Sequence, residues 1–68
     1  MYAIIIALWM LANPSDKTEL TYVEKTYETL EACEADKARV EALLWTFLKT
    51  AYDVDKTTTA ATLTCEQQ

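Results

Sequence analysis

The sequence predicts an α+β fold: a small antiparallel three-stranded sheet in ββαβ order, with one long amphipathic helix packed on one face. Two observations predict it. Only residues 29–52 carry a long helical periodicity. Residues 2–12, 18–27 and 57–65 are instead β-branched, aromatic or alternating, as strands are. The 68 residues make one domain, 1–68. A chain this short has little room for a core, and such domains commonly need a disulfide, a metal or a partner.

The first strand reads YAIIIALWMLA and is apolar throughout. It is too short to cross a bilayer as a helix, which takes about 20 residues. A secretory signal is the competing reading. No Lys or Arg precedes the apolar run and no small-x-small cleavage site follows it, so a strand is expected. Tyr2, Ile4, Ile6, Leu8 and Met10 then face one way, and Ala3, Ile5, Ala7, Trp9 and Leu11 the other. Both faces are apolar, which is unusual for a sheet with one wet side. One helix covers only one face, so the second must meet a subunit, a partner or a loop.

Asn13-Pro14-Ser15-Asp16 has the composition of a turn. The second strand, TELTYVEKTY, follows as the other arm of a hairpin. Alternation puts Leu20 and Tyr22 on one face and Val23 and Tyr27 on the other, with Glu19, Glu24 and Lys25 guarding an edge.

In the helix, Leu30, Cys33, Lys37, Val40, Leu44, Phe47 and Ala51 fall on one stripe, widened by Leu43 and Leu48. Thr29 is the expected N-cap, and Glu31 and Glu34 suit the positive end of the dipole. Asp53 and Asp55 oppose continuation at the other end. Glu34, Asp36, Arg39, Glu41 and Lys49 form a polar outer face. Trp45 lies off the stripe, either covering a sheet edge or anchoring a partner. After the helix, TTTAATLTC alternates as a half-buried strand, with a threonine-rich linker as the alternative; Glu66-Gln67-Gln68 reads as a frayed tail. The third strand is expected beside the first, in the order 2-1-3, which accounts for the apolarity of the first.

Cys33 lies on the apolar side of the helix and Cys65 ends the last strand facing inward. An even count in a small chain suits a disulfide, with two buried free thiols as the alternative. Closing that loop would add about 3.5–4 kcal/mol in the chain-entropy model. A bond would imply an oxidising setting, such as a periplasm, a cell exterior or a virion.

Composition narrows the functions. A net charge of −5 opposes nucleic-acid backbones and anionic membrane surfaces, so neither is an expected partner. The chain has no Gly for a phosphate-cradling loop and no His for general base or metal ligand. No cofactor, metal or catalytic residue is expected. A carboxylate hydrolase would need an Asp or Glu in an apolar pocket, and none is foreseen.

The stretch Tyr27-Glu28-Thr29-Leu30-Glu31-Ala32-Cys33-Glu34-Ala35, followed by a second Cys near the C-terminus, resembles small uncharacterised phage and prophage proteins. In those, an apolar strand and a hairpin precede a helix that opens with an aromatic-x-Ser/Thr-x-x-x-Cys-Glu pattern, and a terminal strand carries a partner Cys. The resemblance implies the ββαβ layout and a phage-like origin; it transfers no activity. The expected function is then a non-enzymatic protein–protein interaction module, a virion accessory, cementing or assembly protein that self-associates or binds a protein. The candidate interface residues are Ile4, Ile6, Trp9, Leu11, Trp45 and Tyr52, against an ordinary core role that weighs most for the isoleucines. The alternative is a small acidic phage-encoded inhibitor of a host enzyme, using Glu31, Glu34, Asp36 and Glu41.

Overall fold

The computed structural model describes residues 1–68. Strand β1 (Tyr2–Met10) lies at the centre of the sheet, between β2 (Asn13–Tyr27) and β3 (Thr59–Gln67), and both pairings are antiparallel. The helix α1 (Leu30–Tyr52) packs on one side of it. The central position goes to the strand that is apolar on both faces, as the sequence leads one to expect.

The first hairpin corrects the expected turn. Met10 pairs with Asn13, so Leu11-Ala12 make the connection and Asn13–Asp16 already belong to β2. Asp53 is the sole residue of positive φ, so this link is not a primed turn, and the pairing breaks at once. Between Met10↔Asn13 and Leu8↔Thr18, β2 advances five residues while β1 advances two. Pro14 sits in this irregular stretch, where its missing N–H interrupts no ladder.

A second irregularity of the same size separates Ile4↔Tyr22 from Tyr2↔Tyr27. Its three extra residues are an odd number, so they switch the alternation. Tyr27 therefore joins Leu20 and Tyr22 on the helix side, and not Val23 as simple alternation predicts. Tyr27 is buried in the core, while Val23 is 80% exposed.

The helix is capped as expected at its start: Ala32 N–H donates to Thr29 Oγ1 at 3.1 Å. At its end Asp53 adopts φ 55°, ψ 41°, the left-handed conformation usually given to glycine, and its N–H reaches Lys49 O. The chain then turns back, with Val54 N–H donating to Leu48 O at 3.2 Å. This return sits beside Leu48, which is 9% exposed, and leaves Phe47 at 56%. The buried stripe is thus Cys33, Val40 and Leu48, with Leu44 partly buried; Leu30, Phe47 and Ala51, expected on it, are exposed. A strict seven-residue spacing such as 33-40-47 drifts by about 20° per repeat on a straight helix, so the contact line leaves it near the end.

Cys33 and Cys65 are bonded, with S–S 2.12 Å and Cα atoms 6.1 Å apart, which settles the pairing against two free thiols. The bond ties the first turns of α1 to β3 and borders the core of Ile4, Ile6, Tyr27, Cys33 and Val40. Strand β3 is regular where a linker was the alternative. It runs past Cys65 to Gln67, and Gln68 N–H still donates to Met1 O at 2.9 Å, so the expected frayed tail is in the sheet or bonded to its end.

Candidate interaction surfaces

A convergence of charged and polar side chains lies between the end of β2 and α1. The Tyr27 hydroxyl donates to Asp36 Oδ2. Arg39 grips the same carboxylate twice, through Nε to Oδ1 and a terminal nitrogen to Oδ2, both at 2.7 Å. Lys25 Nζ stands 3.9 Å from it. The bidentate Arg39 bond, then the Tyr27 bond, hold Asp36 well below the usual carboxylate range. The same pairing, with Tyr22 behind it, raises Arg39. Burial first, and the Asp36 bond second, push the Tyr27 phenol up. Both carboxylate oxygens are engaged and the carboxylate stays ionised, so the cluster works as a clasp between strand and helix rather than as an acid or base. Sequence reasoning put Asp36 on the outer face. The i,i+3 spacing of Asp36 and Arg39 was a visible signal for half of the cluster; Tyr27 was hidden by the parity switch in β2.

The second side of the sheet carries no helix. Its central strand presents Ile5, Ala7 and Trp9, with Ala3 on the same side but buried at 2% exposure. Their cross-strand partners are Glu66, Thr64, Thr62 and Ala60 on β3, and Thr21 and Glu19 lie opposite Ile5 and Ala7 on β2. The result is an apolar stripe along β1 with polar flanks. Ile5, Ala7 and Trp9 are half-buried, and the Lys17 ammonium lies 4.8 Å from the centre of the Trp9 ring.

On the helix side, α1 leaves a groove of about 330 Å³ beside β2, lined by Ile6, Tyr22, Val40, Leu43, Leu44 and Phe47 with Glu24 at its rim. Trp45 points elsewhere. It is half-buried beside the link between α1 and β3, with the Lys56 ammonium 5.6 Å from its ring and its Nε1 donating to Glu41 at 3.4 Å. Lys37 pairs with Glu34 at 2.9 Å.

The six expected interface residues do not form one surface. Ile4 and Ile6 are buried on the helix side, which corrects their assignment to an interface in favour of the core role weighed against it; Ile6 meets the surface only where it lines the groove between α1 and β2. Trp9 lies on the open face of the sheet, and Leu11 is exposed at the hairpin tip beside it. Trp45 and Tyr52 belong to the helix layer, Tyr52 stacking edge-on with Phe47 at 5.8 Å. The residues that sequence reasoning missed are Ile5, Ala7 and Ala60, which complete the apolar stripe around Trp9. Alternation had already placed Ile5 and Ala7 on the same face as Trp9. A scan against protein-family models, a search of curated proteins and a search of solved structures each returned no match.

Proposed function

We propose that this protein is a non-enzymatic interaction module that works by burying the open face of its sheet in an assembly. The observation that carries the reading is the stripe Ile5, Ala7 and Trp9 on the central strand, turned away from the helix and bounded by threonines and carboxylates. An antiparallel sheet with a permanently wet side alternates apolar with polar, and β1 does not. An apolar centre with a polar rim is the anatomy of a protein–protein contact. The resemblance to phage proteins and the Cys33–Cys65 bond favour a particle accessory or assembly role in an oxidising setting.

Sedimentation velocity from micromolar to millimolar concentration tests this, with and without reductant. Concentration-dependent association is expected, and Trp9→Lys should remove every step of it that buries the open face. A single monomer throughout, indifferent to Trp9→Lys, overturns the assembly reading. The second reading, an acidic inhibitor of a foreign enzyme, draws on Glu31, Glu34 and Glu41 around the helix, but Asp36 is already consumed by Arg39 and Tyr27.

A further inference from the structure

The two edges of the sheet differ in a way that selects a partner. Edge strand β2 is guarded. It contains Pro14, Lys17 and Lys25, and two irregularities interrupt it. These are the devices by which strands resist further pairing. Edge strand β3 has none of them. It reads TAATLTCEQ, with no Pro and no Lys, and it pairs with β1 without a break from Thr59 to Gln67. Its outer side pairs with no other strand.

The ladder also gives the direction of each backbone group. Leu11 N–H donates to Thr58 O and Gln68 N–H to Met1 O, both at 2.9 Å, at its two ends. Even-numbered residues of β3 therefore bond to β1, and odd-numbered ones point outward. Thr59 agrees, since its N–H turns away to Asp55 O at 3.1 Å. That leaves the N–H and C=O of Ala61, Leu63, Cys65 and Gln67 aimed along the free edge.

We propose that β3 pairs antiparallel with β3 of a second copy about a twofold axis at Leu63, joining two sheets into one. The strand complements itself in this register. Leu63 meets Leu63 of the second copy, and Ala61 meets Cys65, each of them a hydrogen-bonded position. On the open face Thr62 meets Thr64 of the second copy, a favourable cross-strand pair. Glu66, the one charged residue of the strand, meets Ala60. The two copies of Glu66 then stand roughly 20 Å apart at 3.4 Å per residue, beyond the reach of screened repulsion. This register uses the whole strand, and a shift in either direction shortens it. Pairing also puts the two apolar stripes of β1 on one continuous face, with the two β3 strands between them. The inference deepens the interaction reading and rests on it.

Light scattering on the oxidised chain tests the proposal, with Ala61→Pro as the main variant. The Ala61 N–H makes no bond to β1, so proline removes an outward donor and leaves the inner ladder alone. A double variant, Thr62→Lys with Thr64→Lys, keeps the inner ladder and sets like charges opposite one another across the axis. The expected result is a dimer that both variants dissociate with an unchanged far-UV spectrum and that Trp9→Lys leaves paired. In the parent, exchange of the Leu63 amide slows as concentration rises. If Ala61→Pro does not fold, the lysine variant decides. A dimer that survives the edge variants and falls to Trp9→Lys overturns edge pairing and leaves the face-burial reading standing. A monomer at every concentration overturns both.

Discussion

Asp36 shows how much a single position in this chain has to do. Its carboxylate accepts from Tyr27, Arg39 and, at longer range, Lys25, and so joins strand to helix at the point where β2 ends. The folded chain holds Asp36 below its ordinary pKa, chiefly through Arg39 and then Tyr27. Its contribution to stability is thus complete above about pH 4 and is lost as pH falls further. Tyr27 is shifted the other way, by burial first, and favours its neutral form. Its contribution is complete below about pH 10 and is lost as pH rises beyond that. Denaturant midpoints measured against pH should show a plateau between these limits. Asp36→Asn should flatten the acid limb, and Tyr27→Phe should lower the plateau and reduce the alkaline fall. An acid limb unchanged in Asp36→Asn would mean the clasp is not formed. Thr29 gives a second check at this scale: Thr29→Ala removes the bond from Ala32 N–H and should cost about 1 kcal/mol by denaturant unfolding.

Among the elements, the helix depends most on a covalent tie. It is exposed over much of its surface, and Cys33 is one of only three of its residues that are buried. Replacing Cys33 and Cys65 by alanine should lower stability by about 3.5–4 kcal/mol in the chain-entropy model. At about 4–8 °C per kcal/mol for a domain of this size, calorimetry should find a fall of roughly 15 °C or more in Tm, and a smaller change would assign the helix's attachment to packing alone. The elements themselves were legible because each has a period of its own. The 3.6-residue pattern of 30–52, the apolarity of 2–10 and the alternation of 59–65 required nothing distant to be read. β1 fell at the centre because a strand apolar on both faces is screened best where a neighbouring strand stands at each edge. What escaped were quantities that only the folded chain fixes. The parity switch before Tyr27 comes from how many β2 residues bulge, which no local pattern records. The tight link at Leu11-Ala12 lacks the Gly, Asn or Asp that marks such turns, and the rotation of the helix away from Phe47 follows from the path taken after Asp53.

Across the whole molecule, the central strand separates core from open face within a single peptide unit. Ile4 lies at 0% exposure under the helix, and Ile5 points to the bare side of the sheet. The two residues share composition, backbone geometry and position in the same strand, so a pair of substitutions isolates the role of the face. Ile4→Ala leaves a cavity in the core and should cost about 2–5 kcal/mol. Ile5→Thr exchanges one strand-forming residue for another on a surface that is already half wet, and should change monomer stability by no more than about 1 kcal/mol. Adding Trp9→Thr should extend that result, since Trp9 is only half-buried on the open face, with Lys17 against its ring. In sedimentation at high concentration the order should reverse. Ile4→Ala, where it remains folded, should associate as the parent does, while Ile5→Thr with Trp9→Thr should lose the association that buries the open face and keep only the pairing of β3 edges. Measuring both quantities on the same variants separates a face that waits for a partner from one that merely finishes the fold. If Ile5→Thr destabilises the dilute monomer as severely as Ile4→Ala, the open face belongs to the core of the single chain, and the binding surface has to be sought in the groove between α1 and β2, where Leu43 and Phe47 stand over Ile6.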